Sequence, residues 1–388
     1  MKRILFVTYD FPFPTNTGGK NRAYHMLKYA KGDFKKYLFS FIRADFSSSY
    51  ESEIEKIGVE TVGTELRLKT TDLRNVVGLA SGKSIFKSLY YSKKVADELL
   101  KIVHEQKIDI IHFESFYTAF YISNIFKTLG VKQIYGSENI EYKLYEEFAQ
   151  NKGLLKPLLN LQVKQIKKEE IDMYKNSDAN LAVTSEEVEF IKQYNDKTYQ
   201  IPNGIDIDNF TYHEPSKRDE KNILFVGNFT YFPNVSAIES FYKNIFTKID
   251  SDVKLTVIGK KVGNLSFISD PKVRAIEFVE DIKNAYAAAD ILISPIKIGG
   301  GTNFKILEAM AAGVPVIAYK GRMDAVGVED DTHVLVATSD LDFQKKIEML
   351  LENLEKRKSL AKSARKFVEQ EYDWKSIGEK LGKVWSEI

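Results

Sequence analysis

Short apolar runs of strand length alternate with longer stretches of helical periodicity, and the alternation occurs twice along the chain. In the first half, residues 3–7, 37–42, 108–113, 132–135, 179–183 and 199–201 read as strands, and 20–31, 95–106, 158–175 and 186–194 as helices. Strands separated by helices imply parallel sheet, because a parallel neighbour is reached only through a crossover connection. The rhythm stops at Pro202. Residues 204–220 are polar and irregular, with Pro215 and a charged cluster ending at Lys221, and read as a linker. It restarts with strands at 222–226, 253–258, 291–294 and 314–318, helices at 234–246, 282–288 and 303–312, and two more helices beyond Asp340. A chain of 388 residues exceeds the usual single domain. The expected fold class is therefore α/β, with two Rossmann-like, doubly wound domains at 1–203 and 221–370. Residues 371–388, with Trp374 and Trp385, are expected to form a helix that returns to the first domain. Ligands of such sheets bind at the carboxyl ends of the strands, here facing a central cleft.

Composition excludes several classes of function. Lys and Arg total 56 against 54 acids, so no whole-chain field recruits nucleic acid. There are no cysteines, which rules out disulfides, a thiol nucleophile and thiolate-bound zinc, and suits a reducing cytoplasm. The five histidines lack metal-ligand spacing, so no metal site is expected. The apolar run after Met-Lys-Arg stops at Thr8, short of the roughly seven residues that a secretory segment needs. Leu154, Leu155, Leu158, Leu159 and Leu161 interleave with Lys152, Lys156, Lys164, Lys167 and Lys168. That basic amphipathic pattern suits either a helix packed on its own domain or peripheral contact with an anionic membrane at its inner face.

The densest chemistry lies between Asp290 and Ala318. Gly299, Gly300 and Gly301 lead into a helix for which Thr302 or Asn303 is a plausible N-cap. Glycines admit close approach of backbone N–H groups to an anion, and the helix end adds a positive dipole. Lys305 falls in the first turn, where a cation opposes that dipole unless an anion compensates. Gly300, Gly301, Thr302 and Lys305 thus read as a diphosphate cradle, with Glu308 one turn on for ribose hydroxyls. The competing reading is a plain turn followed by a surface Lys–Glu pair.

The run Phe304-Lys-Ile-Leu-Glu-Ala-Met-Ala-Ala-Gly-Val-Pro-Val-Ile-Ala318 closely resembles the signature of family 4 glycosyltransferases. Other landmarks follow the same order: residues 201–206 (Ile-Pro-Asn-Gly-Ile-Asp), Phe225-Val226-Gly227, Val257-Ile258-Gly259, and the run Ala285 to Asp290. The resemblance covers nearly the whole chain and points to the glycine-rich-loop branch of bacterial surface-polysaccharide transferases. It implies the GT-B fold, a nucleotide-diphosphate sugar donor, retention of anomeric configuration, a glycan or lipid-linked acceptor, and no cofactor or metal. Glu308 matches the second member of the family's glutamate pair; the first falls on Gly300. The basic pair that often follows Val-Gly is replaced by Asn228 and Phe229, leaving Lys305 as the candidate charge on the leaving diphosphate. Gly227, Asn228 and Asn303 are expected at the donor, and Val279 is expected to offer backbone contacts to the base.

In the first domain, Gly18, Gly19 and Arg22 match the branch's first glycine loop and are expected at the donor. Glu114, ending a strand two residues after His112, is expected nearest the sugar, with His112 as an ordinary strand histidine. Glu138 stands where relatives usually carry histidine, and is the second candidate catalytic carboxylate. Phe116, Tyr117, Phe120 and Tyr121 read as the packed face of a helix. Residues 78–84 resemble a phosphate-binding loop but are one residue short between the glycines, and Asp206-Ile-Asp208 reads as a turn rather than a metal triplet. Rival functions are a catalytically inactive relative that either binds a nucleotide sugar or partners another transferase, and a sugar-nucleotide epimerase.

Overall fold

The computed structural model describes residues 1–43, 46–66, 82–150, 156–230, 232–249, 252–296, 304–320 and 326–388. The chain divides into two compact units, Met1–Asn203 with Ile377–Ile388, and Gly204–Ser376.

The first unit is built on seven parallel strands: β1 (Lys2–Thr8), β2 (Phe34–Ile42), β3 (Val59–Leu66), β4 (Ile110–Glu114), β5 (Lys132–Gly136), β6 (Ala179–Ala182) and β7 (Thr198–Gln200). Their order is β3-β2-β1-β4-β5-β6-β7, all neighbours running parallel. The order reverses between β1 and β4, where Thr8 and Glu114 are register partners at the carboxyl ends. That reversal is where a doubly wound sheet opens a binding crevice. The central strands are apolar throughout because helices cover both faces; Ile4, Leu5, Phe6 and Val7 are fully buried.

The second unit repeats the plan with β8 (Lys221–Val226), β9 (Val253–Ile258), β10 (Val273–Ile276), β11 (Ile291–Ser294), β12 (Val316–Tyr319) and β13 (Leu335–Ala337), ordered β10-β9-β8-β11-β12-β13. Its reversal lies between β8 and β11. Helix Phe304–Ala312 ends in a left-handed Gly313 (φ 85°), with Val314 N–H bonded to the Ala309 carbonyl. A Cβ at Gly313 would lie 2.4 Å from the His213 carbonyl oxygen, so glycine is required at this helix exit.

The sequence patterns miss β3, β10 and β13. All three are sheet edges; β3 and β10 form no buried apolar run, and β13 is buried but only three residues long. The stretch around Phe116–Tyr121 is not a helix but a single 3-10 turn, Ala119–Tyr121, whose aromatic rings are nonetheless core. Residues 204–220 contain little regular structure, yet they are more than a tether: Ile205 and Ile207 are buried in the second unit's core. In the last helix, Trp374–Glu387, Trp374 belongs to the second unit and Trp385 to the first. Gly378 and Gly382 lie against the backbone of Tyr29 and Lys31, where a Cβ would meet carbonyl oxygens at 2.1 and 1.9 Å.

Candidate active site

In the second unit, Lys305 extends from the first turn of helix Phe304–Ala312 to the end of β8. Its Nζ donates to the Val226 carbonyl at 2.9 Å and lies 4.5 Å from the centre of the Phe225 ring. The ammonium is thereby fixed at the reversal point between β8 and β11, the expected mouth of the sheet. Beside it, Gly227 and Gly259 bring two strand ends into backbone contact. Gly259 has φ 145°, and a Cβ there would lie 1.7 Å from the Gly227 carbonyl oxygen. Asn228 shapes the loop that follows, its Oδ1 accepting from the Thr230 N–H and hydroxyl at 3.0 and 2.8 Å. Asn234 Nδ2 donates to the Asn228 carbonyl at 2.9 Å.

Glu308 accepts from the Tyr286 hydroxyl at 2.7 Å through Oε2. Burial pushes its carboxyl up, and the Tyr286 bond and the nearby Lys305 charge partly offset that shift. Val279 is half-buried against the second unit's core, whereas its neighbour Phe278 is 79% exposed. Gly300, Gly301, Thr302 and Asn303 lie outside the described residues, as does Gly299. Of the residues expected at the donor in this unit, Lys305, Glu308, Gly227, Asn228 and Val279 are described.

The first unit fills its reversal point differently. Arg22 is 1% exposed; its Nε donates to Glu114 Oε1 at 2.6 Å, and Nη1 donates to the Ile201 and Pro202 carbonyls and to Asn203 Oδ1. Glu114 is equally buried, and its Oε2 accepts from His112 Nε2 at 2.9 Å. Trp385 Nε1–H donates to the other ring nitrogen, His112 Nδ1, at 3.3 Å. Burial pushes the His112 pKa down, which keeps the ring neutral. A neutral ring whose Nδ1 accepts carries its proton on Nε2, and so donates to Glu114. Burial alone would raise the Glu114 pKa, but the Arg22 charge and the His112 bond hold it down at about 2.

This geometry bears on two expectations. Glu114 is buried with both oxygens occupied inside the protein, a structural partner rather than a group exposed to a sugar. Arg22 ties the glycine-loop helix Gly18–Tyr29 to β4 and to the chain leaving β7, while its buried Nη2 has no partner among the described residues. His112 is the partnered strand histidine that the sequence suggests.

Glu138, two residues beyond β5, behaves in the opposite way to Glu114. Its Oε1 is buried with no hydrogen-bond partner among the described residues. Burial and the Glu114 charge raise its pKa to about 7, against the pull of Arg22. It stands over Gly19, where a Cβ would lie 3.2 Å from Glu138 Oε1 and 2.5 Å from the Tyr9 hydroxyl. Gly18 has no such neighbour within 4 Å. Tyr9, which sequence reasoning missed, sits immediately after β1, and burial and the Glu138 charge keep its phenol protonated. Its position as the first polar-tipped residue past the leading strand was the available signal. Asp10 pairs with Arg43 at 3.0 Å and Lys20 at 3.7 Å, so Lys20 is engaged at the loop's other side.

Two doubly wound parallel units, each with polar side chains gathered at its sheet reversal, define the GT-B class of glycosyltransferases. Residues 220–353 match the family model "Glycosyl transferases group 1", and residues 62–209 match "Glycosyltransferase Family 4". The chain belongs to this glycosyltransferase family. It is 23% identical over 97% of its length to an uncharacterized 44.6 kDa protein in the cps region of Klebsiella pneumoniae, covering 98% of that protein. A GDP-mannose-dependent mannosyltransferase acting on a monoacylated phosphatidylinositol monomannoside, from Corynebacterium glutamicum, is 28% identical over 47% of this chain and 55% of its own. Among solved structures, sucrose-phosphate synthase from Thermosynechococcus elongatus superposes with a TM-score of 0.69 at 16% identity, covering 100% of this chain and 99% of that one. HepE from Anabaena, in complex with UDP, gives 0.67 at 14% identity over both full chains.

Proposed function

We propose that this glycosyltransferase moves a sugar from a nucleotide-diphosphate donor to a hydroxyl of a glycan or lipid-linked glycan in surface-polysaccharide synthesis, with retention and without a metal. The observation that carries this reading is Lys305, whose ammonium is held at the end of β8 beside Glu308 on the same helix. Departure of the nucleoside diphosphate builds negative charge, and a prepositioned cation together with a helix N-terminus stabilises that charge where it develops. Glu308 is suited to accept from ribose hydroxyls, and the strand-end glycines Gly227 and Gly259 let the ends of β8 and β9 pack backbone to backbone. In a same-face transfer the departing phosphate oxygen itself can take the acceptor proton, so no protein nucleophile is required. The Anabaena protein in complex with UDP and the Klebsiella protein encoded in a cps region support the donor class and the setting.

Peripheral membrane contact belongs to the same proposal. Among the described residues no helix is long and apolar enough to cross a membrane. Helix Lys156–Asn176 buries Val163, Ile166, Met173 and Tyr174 against its own unit but leaves Leu161 62% exposed, alongside exposed Lys164, Lys167 and Lys168. Lys152, Leu154 and Leu155 lie outside the described residues. Flotation with anionic liposomes tests the contact; protein left entirely at the bottom of the gradient removes it.

The donor is tested by thermal-shift screening with UDP-, GDP-, CDP- and dTDP-sugars. A ligand at a hundred times its dissociation constant adds about 2.7 kcal/mol, which such a screen resolves. One selective nucleotide sugar whose shift disappears in Lys305→Ala and Glu308→Ala supports the reading. A well-folded protein that responds to none of them overturns it in favour of the inactive relative.

A further inference from the structure

The first unit holds a cavity that the donor reading leaves unused. It measures about 400 Å³, within the ~300–1,000 Å³ range of small-molecule sites. Its buried floor is Phe120, Tyr121 and Phe126, and one wall is Ala96 and Leu100, four residues apart on helix Lys93–Gln106. The floor offers ring surface rather than hydrogen bonds. The Tyr121 hydroxyl is already spent, donating to the Tyr90 carbonyl at 2.6 Å and accepting from Ser92 N–H at 3.0 Å.

The charged side chains in the lining are cationic. Lys83 and Lys87 line it, and among the described residues no carboxylate does. Among the described residues neither ammonium is engaged by a hydrogen bond or an ion pair. An apolar, aromatic-floored cavity with two lysines in its lining complements a molecule with an apolar tail and an anionic head.

A chain of packed aromatic rings runs between the cavity and the candidate site within the same unit. Tyr90, whose carbonyl receives the Tyr121 hydroxyl, packs on Tyr117 with ring centres 4.7 Å apart. Tyr117 packs on Tyr9 at 5.3 Å, and Tyr9 stands over Gly19 beside Glu138. Three aromatic residues thus separate the cavity from the glycine loop.

We propose that this cavity binds the alkyl chain of a phosphate-linked amphiphile, with Lys83 and Lys87 meeting the phosphate. On the function proposed above, with which it is combined here, that amphiphile is the acceptor: its lipid tail is held in the cavity and its sugar extends toward Tyr9 and Glu138. The phosphate restricts the acceptor to a lipid phosphate or diphosphate, as opposed to a free oligosaccharide.

The test is calorimetric titration of the full-length protein with octyl phosphate below its micelle concentration, with octanol and inorganic phosphate as the separated halves. Octyl phosphate is expected to bind at least about tenfold more tightly than either half, a difference that charge pairing plus apolar burial readily supplies. The double variant Lys83→Ala/Lys87→Ala is expected to bring it down to the level of octanol. Ala96→Phe, which fills the cavity from a half-exposed helix position, is expected to abolish binding. Leu100→Trp serves the same purpose if Ala96→Phe lowers the melting temperature. Equal binding of octyl phosphate by the wild type and the cavity-filled variants overturns the proposal, as does binding no tighter than octanol. No sugar donor enters this titration, so a cavity that binds octyl phosphate in a protein unresponsive to nucleotide sugars would leave the cavity standing and remove only the transferase reading.

Discussion

The two units share a strand order and a reversal point, yet they put opposite chemistry there. At the β1–β4 reversal, Arg22, Glu114 and His112 are buried and bound to one another and to Trp385. At the β8–β11 reversal, Lys305 and Glu308 are half-buried, Lys305 reaching the Val226 carbonyl and the Phe225 ring and Glu308 the Tyr286 hydroxyl. A doubly wound sheet supplies a place for ligands, but pairing decides whether the groups placed there bind a ligand or hold the protein together. In the first unit the polar centre is a clamp, and the reactive candidates, Tyr9 and Glu138, stand beside it.

The largest effect should come from breaking the clamp. Glu114→Ala leaves the Arg22 guanidinium buried without its counter-charge, which costs about 3–5 kcal/mol in comparable buried pairs. Denaturant unfolding should show that loss, and a change below about 1 kcal/mol would mean that the pair is not buried as described. The pH dependence has a definite sign. The Glu114 pKa is lowered to about 2 in the folded protein, so its contribution is present above the unfolded carboxylate pKa of about 4.3 and fades as pH falls from there toward 2.

Next comes the open site. Lys305→Ala should change stability by no more than about 1 kcal/mol, because a half-exposed lysine contributes little to folding. It should nevertheless slow donor turnover by about 10²–10³-fold, the usual loss when one transition-state charge partner is removed. Donor hydrolysis and a melting curve on the same sample measure both. A large loss of stability with unchanged turnover would reverse the assignments of clamp and binding site.

The difference between the units also explains what the sequence revealed. The second unit's site was legible because its residues are local: Lys305 and Glu308 lie on one helix, three residues apart, directly after glycines. The clamp was not, because its bonds join residues 92 and 273 positions apart, and no periodicity records such pairings. Reading Glu114 as exposed to sugar was reasonable for a strand-end carboxylate; only the fold reveals that Arg22 and His112 take both its oxygens. The central strands were visible as apolar runs for the same reason that the edge strands β3 and β10 were hidden, namely burial on both faces against burial on one; β13 is buried but too short, at three residues, to show a run.

A smaller effect separates Glu138 from Glu114. Its pKa is raised to about 7, so between about 4.3 and 7 the folded protein binds a proton that the unfolded chain releases, and stability falls as pH rises through that window. Glu138→Gln should therefore match wild type near pH 4 and exceed it by about 3–4 kcal/mol above pH 7, the scale of a shift of this size. Melting temperatures across the range would show the two curves diverging upward in pH. If Glu138 also serves the reaction, the same substitution should remove a limb near pH 7 from the activity profile. Parallel melting curves at every pH would place Glu138 in water and dissolve the contrast with its neighbour.

The finest test concerns the contact over the glycine loop. A methyl at Gly19 would lie 2.5 Å from the Tyr9 hydroxyl oxygen and 3.2 Å from Glu138 Oε1, whereas Gly18 faces open space. Gly19→Ala should thus cost about 1–2 kcal/mol through overpacking, and Gly18→Ala should cost less. The obstruction at Gly19 is mainly one oxygen atom at the end of a ring. Removing it with Tyr9→Phe should restore part of the loss, so the double variant should be more stable than the sum of the two single changes predicts. A double-mutant cycle read by denaturant unfolding measures that coupling. Zero coupling would mean that Tyr9 turns away from the loop, and with it would go the closest contact linking the first strand's end to the candidate carboxylate.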